Sequence, residues 1–483
     1  MDKILTNTAT ELSKKLESGE ITSVQLVAKY LEHIEEIEPT IKAFITITKE
    51  QALRDAQASD QRRKEGKPLS KWDGIPIALK DNLSTKGVKT TCGSLMLENY
   101  IPPYDATVVE RLKNNGLIIL GKTNMDEFAM GSSTESSAFY PTRNPKNISK
   151  VPGGSSGGSA ACVAAYEVPW ALGTDTGGSV RGPASFCGVI GLKPTYGSVS
   201  RYGVVSYASS LDQVGWFTRS VGDAAALFQL ISGYDPKDST SVKVEDISSL
   251  ESSVTGGVEG LTIGVIKECF GEELNPQVCR SVRASVEKLK EAGANIVEIS
   301  LPFADIAIET YYIISTAEAS SNLARFDGVR YGLRVPAEDV VSMFTKTRSQ
   351  GFGEEVKRRI ILGTHVLSAG NYDKYYRKAQ KIRTAMKKEF TKVFEQVDLL
   401  ITPTTPTTAF GFGEKQDPLH MYITDIYTVI VNLIGAPAIS LPCGLDKESM
   451  PIGLQIIGKH FDEKTLLQAA HTLENLLDQE VEM

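Results

Sequence analysis

The first 70 residues carry hydrophobic positions at the spacing of amphipathic helices. Thr22 and Gln25 form the pattern of a capping box, and the run LVAKYLEHIEEIEP that follows places its apolar residues on one helical face. Pro39 is expected to end this helix, because proline lacks a backbone N–H. A short strand at IKAFITIT and a charged, solvated helix at KEQALRDAQASDQRRKEGK come next. Residues 1–70 are therefore predicted to form a mainly helical N-terminal layer.

From Trp72 onward, buried strands alternate with helices. GIPIALKDNL predicts a buried strand that runs into a loop, and ATVVERLKNNGLIILGKTNMDEFAM predicts helix, strand and helix. Further on, GLTIGVIKE, a helix and ANIVEISLP form a strand–helix–strand unit. Later strands are predicted at VDLLITP, AISLP and GLQIIG, and a last helix at DEKTLLQAAHTLENLL. This alternation predicts an α/β fold.

The chain shows no convincing domain boundary. Residues 1–483 are interpreted as a single α/β domain, with two domains as the alternative. A polar stretch at 236–257 is the best candidate for a surface excursion.

Composition narrows the class of protein. A hydrophobic fraction of 41% and a charged fraction of 23% are typical of a globular chain. The net charge of −7 makes the chain a poor candidate for binding nucleic acid by itself. It has neither an apolar run long enough to span a membrane nor the start of a signal or transit peptide. The six cysteines are scattered without a CxxC pair, so reduced, mostly buried thiols in the cytoplasm are expected.

Residues 153–203 hold 12 glycines and 7 serines, interrupted by apolar blocks. Glycine at this density inside an apolar frame indicates tight turns and a close backbone approach to another group. Two segments stand out, PGGSSGGSA at 152–160 and GTDTGGSVRGP at 173–183. In the second, successive N–H groups of Thr176, Gly177 and Gly178 lead into Ser179 and could form a nest for an anion. A serine nucleophile needs such donors and a positioned base.

Three other interpretations of these segments remain open from the residues alone. Neither segment matches a P-loop or a dinucleotide-binding fingerprint in register, so nucleotide binding is disfavoured. Gly153–Gly157 matches the G-x-S-x-G elbow, which would require a downstream acid and one of the histidines His365, His420 or His460. In a purely structural interpretation the glycines form turns and the serines cap helices.

Lys80 is the candidate base, since it ends the apolar strand GIPIAL. Desolvation there would lower its pKa and make the neutral amine available. The competing interpretation is a buried lysine paired with Asp81 or another carboxylate.

The motifs GIPIALKDN, PGGSSGGS and DTGGSVRGPA resemble those of the amidase signature family, with Lys80, Ser155 and Ser179 spaced 75 and 24 residues apart. The resemblance covers roughly residues 7–477. It implies one large mixed sheet wrapped by helices, and a Ser–Ser–Lys triad. Ser179 would be the nucleophile, Ser155 the bridging serine after a cis peptide bond, and Lys80 the base. The oxyanion hole would be formed by the N–H groups of Thr176, Gly177, Gly178 and Ser179.

Within that family, three segments resemble the glutamine-hydrolysing subunits of tRNA-dependent amidotransferases. They are NMDEFAMG at 124–131, AEASSNLARFDGVRYG at 317–332 and VKRRIILGT at 356–364. The resemblance implies glutamine as substrate, and a glutamine site that includes Gly131, Tyr311, Arg359 and Asp425. Arg359 would bind the α-carboxylate and Asp425 the α-ammonium group.

The same resemblance implies a heterotrimer in which this chain is joined by the B and C subunits of the amidotransferase. The B subunit would use ATP and Mg and would make most of the tRNA contacts, while this chain would bind no cofactor and no metal. Two other function classes stay open. One is a free-standing amidase of small or fatty amides, and the other is a non-catalytic scaffold, against which the intact triad argues.

Overall fold

A mixed β-sheet of eleven strands runs through the described part of the chain. The computed structural model describes residues 2–244, 250–302, 306–415 and 417–481. The strands are β1 Phe44–Ile47, β2 Pro76–Lys80, β3 Ile118–Thr123, β4 Trp170–Asp175, β5 Ile190–Lys193, β6 Gln213–Thr218, β7 Thr262–Ile266, β8 Asn295–Ile299, β9 Leu399–Pro403, β10 Ala438–Leu445 and β11 Pro451–Gly458. Their order in the sheet is β1-β3-β2-β4-β6-β5-β10-β11-β9-β7-β8.

Two parallel groups of strands are joined by antiparallel ones. β2 is parallel to β3 and β4, and β7 is parallel to β8 and β9, whereas the other neighbouring pairs are antiparallel. Every residue of β2, β3 and β4 is buried. Strands that are covered on both faces have sequences that are continuous apolar runs, which is why the segments GIPIAL and LIIL predicted β2 and β3. The α/β class and the mixed sheet are confirmed.

Helices flank the sheet. They are α1 Lys3–Thr6, α2 Ala9–Glu17, α3 Ser23–Ile41, α4 Lys49–Lys64, α5 Thr107–Asn114, α6 Gly157–Ala164, α7 Arg181–Cys187, α8 Val221–Ile231, α9 Leu250–Ser253, α10 Pro276–Glu291, α11 Ala307–Asn322, α12 Val340–Gly351, α13 Glu354–Leu367, α14 Tyr376–Phe394, α15 Pro418–Tyr422, α16 Val429–Ile434 and α17 Glu463–Val481. The polar stretch 236–257 lies partly outside the described residues.

The predicted capping box of α3 is present, because the Gln25 N–H donates to Thr22 Oγ1 (3.1 Å) and the Thr22 N–H donates to Gln25 Oε1 (3.0 Å). The prediction that Pro39 ends this helix is wrong. α3 continues to Ile41, which is buried, and ends where Lys42 takes a left-handed conformation with φ 58°. Proline costs the helix one hydrogen bond, and the buried face and this cap outweigh that loss.

The helix expected at NMDEFAM is only a 3₁₀ turn at Glu127–Ala129. Phe128 and Ala129 have positive φ values of 49° and 62°, which no α-helix accommodates. The segment instead turns around the buried side chain of Asp126. All six cysteines lie in described residues and are free thiols, five of them buried, as predicted. No helix in the described ranges is long and apolar enough to cross a membrane.

Candidate active site

Lys80 lies at the end of β2, fully buried between β3 and β4. Its Nζ lies within hydrogen-bond distance of three hydroxyl oxygens, those of Ser155 (2.7 Å), Ser156 (2.8 Å) and Thr174 (3.0 Å). The predicted alternative, an ion pair with Asp81, is wrong. Asp81 pairs instead with Lys122, at 3.2 Å, because the strand alternation points neighbouring side chains to opposite faces.

The hydroxyls around Lys80 are compatible with a neutral amine. The Ser156 hydroxyl donates to the Thr174 carbonyl (3.0 Å), so its oxygen accepts a hydrogen bond from Lys80. Thr174 Oγ1 accepts from Asn82 Nδ2 (3.0 Å) and from Lys80. Two N–H groups of an uncharged amine are then used, and its lone pair is left for the Ser155 hydroxyl. Lys80 can therefore accept a proton from Ser155.

The electrostatic surroundings agree with this arrangement. Burial lowers the pKa of Lys80 to about 7, although the carboxylates of Asp126, Asp175 and Asp212 act in the opposite direction. A pKa near neutrality is what general base catalysis at physiological pH requires.

The Ser155 loop is held by the backbone of Asp126, whose side chain is buried. The Gly154–Ser155 peptide bond is cis, as the family resemblance implied. The Asp126 N–H donates to the Ser155 carbonyl (3.2 Å). The Asp126 carboxylate in turn accepts from the Thr134 N–H (2.9 Å) and the Ser136 hydroxyl (2.8 Å). Asp126 thus connects the loop before α6 to the turn that follows β3.

Residues 176–180, which we call the nucleophile loop, connect β4 to α7. Ser179 is 8% exposed, whereas Lys80 and Ser155 are fully buried, so Ser179 is the triad candidate that a substrate can reach. The Ser156 N–H donates to the Ser179 carbonyl (3.2 Å). Among the described residues, however, the side-chain hydrogen bonds stop at Ser155 and do not reach the Ser179 hydroxyl.

The candidate oxyanion donors differ in availability. The Gly178 N–H donates to Asp175 Oδ1 (2.8 Å) and is therefore committed. In the described structure the amides of Thr176, Gly177 and Ser179 make no hydrogen bond. These three are the groups that can hold an oxyanion in this conformation.

Asp175 is the anchor of the nucleophile loop. It also accepts from the Val180 N–H (3.1 Å) and pairs with Arg181 (3.0 Å). Burial alone would raise the pKa of Asp175, but the Arg181 guanidinium and a hydrogen bond from Asn432 hold it well below the ordinary value. A permanently ionised Asp175 can keep the loop in one conformation.

The short helix α16 supports the loop from the other side. The Thr428 hydroxyl, just before α16, donates to the Gly177 carbonyl (2.7 Å). Gly178 has a φ of +134°, and a Cβ there would lie 2.2 Å from Thr428 Oγ1, so only glycine fits. Asn432 donates to Asp175 Oδ1 (2.9 Å) and accepts from Arg181 Nη2 (2.6 Å).

The candidate substrate residues surround the same loop. A Cβ at Gly177 would lie 2.6 Å from the Tyr311 hydroxyl oxygen, so this tyrosine covers the loop directly. The Asp425 carboxylate accepts from the Ser132 hydroxyl (2.7 Å), and Ser132 follows Gly131 in the chain. Burial raises the pKa of Asp425 to about 7, against the effects of Ser132 and Arg359.

Arg359 is 3% exposed and lies in a cage of aromatic rings. Its guanidinium carbon is 5.4–5.5 Å from the ring centroids of Tyr207, Tyr312 and Tyr422. Arg359 Nε donates to Glu355 Oε1 (2.7 Å), and Nη1 donates to the Tyr207 hydroxyl (2.7 Å). Arg359 and Asp425, both in described ranges, form no ion pair with each other. Arg359 is paired with Glu355 instead, and its Nη2 forms no hydrogen bond among the described residues, so Nη2 and the Asp425 carboxylate are the charged groups left for a ligand.

Sequence reasoning missed most of the supporting residues, because their roles arise only where distant segments meet. They are Asn82, Asp126, Ser132, Ser156, Thr174, Asp175, Arg181, Tyr207, Asp212, Tyr312, Glu355, Tyr422, Thr428 and Asn432. Ser156 could have been found from the Ser-Ser pair, and Asp175 from the D-T-G-G-S motif. The others leave no local signal.

The histidine-based alternative finds no support in the geometry. His460 Nε2 is 3.0 Å from the Ile434 carbonyl, His420 is exposed, and His365 contacts Asn371. Within the described structure, none of these histidines bonds to Ser155 or Ser179. In the described ranges, no group of three or more His, Cys, Asp or Glu side chains is placed to hold a metal ion.

The model of the amidase family matches residues 25–467, and the chain belongs to this family. The fold is the amidase signature fold, and its chemistry is that of an amide-hydrolysing enzyme.

Within the family, the similarity is high to one kind of protein. The chain is 56% identical to the A subunit of the glutamyl-tRNA(Gln) amidotransferase of Thermoanaerobacter pseudethanolicus, over 96% of this chain and 95% of that protein. It is also similar to the crystal structure of the corresponding protein from Thermotoga maritima. That structure has 42% identity, a TM-score of 0.81, and coverage of 98% of this chain and 96% of the other.

The fold is shared with amidases of another kind. The peptide amidase of Stenotrophomonas maltophilia has a TM-score of 0.84 at 29% identity, with 98% of this chain and 97% of the other covered. Similarity of backbone alone therefore does not select the substrate.

Proposed function

We propose that the chain is the glutamine-hydrolysing subunit of a tRNA-dependent amidotransferase. It releases ammonia from glutamine, with which the complex converts Glu-tRNA(Gln), Asp-tRNA(Asn) or both to their amidated forms. The observation that carries glutamine as substrate is the pair Arg359 and Asp425, which present opposite charges beside the nucleophile loop without pairing with each other. A zwitterion requires both charges. The amidotransferase relatives, which share more than half of their residues with this chain, support the proposal.

In the proposed acylation step, Ser179 Oγ attacks the side-chain amide carbon of glutamine. The Ser179 proton passes to Ser155, and the Ser155 proton passes to the neutral amine of Lys80. The amides of Thr176, Gly177 and Ser179 hold the oxyanion that forms. When the C–N bond breaks, Lys80 returns the proton through Ser155 to the leaving nitrogen, which departs as ammonia.

Hydrolysis of the acyl-enzyme follows the same path. Water gives a proton through Ser155 to Lys80, attacks the ester carbonyl on Ser179, and releases glutamate. Lys80 then returns the proton to Ser179 through Ser155. Every step uses the same base, because the pKa of Lys80 near 7 allows it both to take and to give a proton.

The relay requires Ser179 to approach Ser155. The Ser179 side chain has no hydrogen bond that fixes it among the described residues, and a hydroxyl on one rotatable bond reorients at little cost. Bound glutamine, held at its charged end by Arg359 and Asp425, would place its amide against the nucleophile loop and close the gap. Catalytic hydrogen bonds are often completed only with substrate present.

The complex we propose is a heterotrimer in the cytoplasm. The B subunit would use ATP with Mg and contact the tRNA, the C subunit would hold the other two together, and this chain would bind no cofactor. The relatives are named as one subunit of an amidotransferase, which supports assembly with other subunits. The alternative is a free-standing amidase of small or fatty amides, which the shared fold also permits.

The test of this function uses the Ser179→Ala variant in the assembled complex. Glutamine-dependent amidation should be abolished, while amidation driven by free ammonia should remain, because ammonia bypasses the nucleophile. Mass spectrometry after treatment with an electrophilic glutamine analogue should place the adduct on Ser179 in the wild type.

Two results would overturn the proposal. An adduct on Ser155 would make Ser155 the nucleophile, and unchanged glutamine-dependent amidation in Ser179→Ala would show that Ser179 takes no part in glutamine hydrolysis. The matched control is Ser198→Ala, which removes a buried hydroxyl that donates to the Thr195 carbonyl (2.7 Å), away from the triad.

A further inference from the structure

A cavity separate from the candidate active site lies at the end of α16 that is remote from the nucleophile loop. Its volume is about 430 Å³, within the range of small-molecule binding sites. It opens between α14, the turn that follows α16, and the segments before β6 and after β11. The residues that line it include Tyr196, Ser210, Arg383, Lys387 and His460. None of the candidate catalytic or glutamine-binding residues takes part.

The lining of the cavity concentrates positive charge. Arg383 and Lys387 are one helical turn apart on α14 and so lie on the same face. In the described part of the chain neither forms an ion pair, and no Asp or Glu lines the cavity. Other cations of the same helix region do have partners, since Arg377 pairs with Asp373 (3.1 Å) and Lys392 with Glu389 (3.4 Å).

The nearest carboxylate that contacts the lining is Glu318. It accepts from both the N–H (2.8 Å) and the hydroxyl (2.6 Å) of Ser210, and its charge acts on Arg383, raising the pKa of that guanidinium against the effect of burial. Burial, followed by the charge of Arg383, lowers the pKa of Lys387. Burial also lowers the pKa of His460, with Lys193 and Lys387 acting in the same direction. The positive groups here oppose one another, and an anion would relieve that repulsion.

The donors are held in place before any ligand arrives. Arg383 is 9% exposed, and it donates from Nε to the Leu433 carbonyl (2.7 Å) and from both Nη atoms to Ser210 (2.7 and 2.8 Å). A guanidinium has five N–H groups, so two remain unused. His460 Nε2 donates to the Ile434 carbonyl (3.0 Å), which fixes its ring. Preorganised donors cost less ordering when a ligand binds.

We propose that this cavity binds a phosphate-type anion, either inorganic phosphate or the phosphate group of a small phosphorylated molecule. The planar fork of an arginine and the mobile ammonium of a lysine are the pair of groups that phosphate sites commonly combine. Arg383 and Lys387 bring two positive charges to the lining, and among the described residues only Arg383 has a carboxylate, that of Glu318, acting on it. The volume leaves room for the molecule to which the phosphate is attached.

The test compares Lys387→Glu with Lys388→Glu in the full chain. Lys388 is the next residue of α14 and is also exposed, so both variants make the same change of charge, but only the first alters the cavity. Arg383 is left unchanged because it holds Leu433 of α16. Inorganic phosphate is titrated calorimetrically at constant ionic strength, and glutamine hydrolysis of each variant reports correct folding.

Saturable binding is expected in the wild type and in Lys388→Glu, with binding at least tenfold weaker in Lys387→Glu. Adenosine monophosphate, titrated in parallel, separates the two sources of the phosphate. Tighter binding than inorganic phosphate indicates a phosphorylated small molecule, and equal or weaker binding indicates inorganic phosphate. Absence of saturable binding in the wild type, or equal loss in the two variants, would overturn the proposal. Lys387→Ala replaces Lys387→Glu if the latter fails to fold.

Discussion

Lys80 and Asp425 have pKa values near neutrality for the same reason, because both are ionisable groups surrounded by protein rather than water. Burial lowers the pKa of Lys80 to about 7 and raises that of Asp425 to about 7. In the proposed reaction Lys80 acts when it is neutral, and Asp425 binds the ammonium group of glutamine when it is ionised. Both active forms are therefore the deprotonated ones, and both are lost as the pH falls through 7.

We therefore expect kcat/KM for glutamine to fall steeply below pH 7. Two protons are taken up by the free enzyme, so log kcat/KM should approach a slope of 2, while log kcat should approach a slope of 1, because bound glutamine keeps Asp425 ionised. The measurement is the pH–rate profile between pH 5 and 9. Asp425→Asn should reduce the slope of log kcat/KM to 1. A profile that is flat through this window, or a slope that Asp425→Asn leaves unchanged, would contradict the assignment.

Glu355 affects Arg359 in two opposing ways. Its charge competes with the substrate carboxylate, but its hydrogen bond to Nε (2.7 Å) fixes the guanidinium among three tyrosine rings. The side chain of Glu355 is itself held by the Tyr422 hydroxyl, at 3.1 Å, and by Arg358. A glutamine side chain at position 355 can keep the hydrogen bond to Arg359 without the charge, whereas an alanine there loses both.

We expect Glu355→Ala to raise KM for glutamine about tenfold with little change in kcat, and Glu355→Gln to leave KM unchanged or lower it. The tenfold figure corresponds to about 1.4 kcal/mol, at the low end for a charge-assisted interaction. Steady-state kinetics of both variants measure it. Glu354→Ala is the control, because Glu354 pairs with Lys357 (3.1 Å) and is 87% exposed. Equal effects of Ala and Gln at position 355 would show that charge, and not orientation, dominates.

At the scale of elements, the six-residue helix α16 connects the nucleophile loop to the interior. Asn432, which is 2% exposed, makes two of the connections, to Asp175 and to Arg181. Removal of its amide leaves two buried ionised groups with one partner fewer each, which costs about 1.5–3 kcal/mol. Asp175 also accepts a hydrogen bond from the Gly178 amide, so a weaker connection to α16 should make the nucleophile loop less ordered as well.

Asn432→Ala should therefore lower the urea midpoint of unfolding and reduce glutamine turnover together. The control is Asn371→Ala, whose side chain is partly exposed and forms hydrogen bonds only with Ser368 and His365 among the described residues, and whose effect should stay within about 0.5 kcal/mol. A drop in activity with an unchanged urea midpoint would mean that Asn432 acts on the reaction directly rather than through the position of the loop.

Most elements were predictable because their patterns are local. The apolar runs of β2 and β3, the capping box of α3 and the elements of the β7, α10 and β8 unit each depend on the residues of their own segment. Pro39 failed as a helix end, because the cap at Lys42 and the buried Ile41 depend on packing that follows the proline. The helix predicted after β3 is absent for a similar reason, since Asp126 takes its hydrogen-bond partners from residues further along the chain.

The residues of the candidate site divide in the same way, into those with a local signal in the sequence and those without one. Lys80 could be singled out by the abrupt end of an apolar strand, and Ser179 by the glycines before it. The hydroxyls that decide the state of Lys80, those of Ser156 and Thr174, meet only because β4 lies beside β2 in the sheet. Arg359 and Asp425 were assigned by resemblance alone, because α13 and the turn before α16 come together only in the folded chain.

At the scale of the whole molecule, one fold serves different substrates, since the peptide amidase shares the backbone at a TM-score of 0.84. In the proposed function, the feature that selects glutamine is the pair of charges that Arg359 and Asp425 present beside the nucleophile loop. Butyramide is glutamine without its α-carboxylate and α-ammonium groups, so it offers the same amide to Ser179 and nothing to Arg359 or Asp425. A site built for a zwitterion should therefore reject it.

We expect the wild-type chain, assayed within its complex, to prefer glutamine over butyramide by roughly 10²–10⁴-fold in kcat/KM. This figure follows from two charge-assisted interactions worth about 1.5–3 kcal/mol each, at 1.4 kcal/mol per factor of ten. In Arg359→Ala the preference should shrink at least tenfold, because glutamine loses a partner and butyramide does not. The comparison of the two amides in each protein measures this difference independently of the amount of active enzyme. Efficient hydrolysis of butyramide by the wild type, with glutamine ignored, would leave the free-standing amidase as the better description.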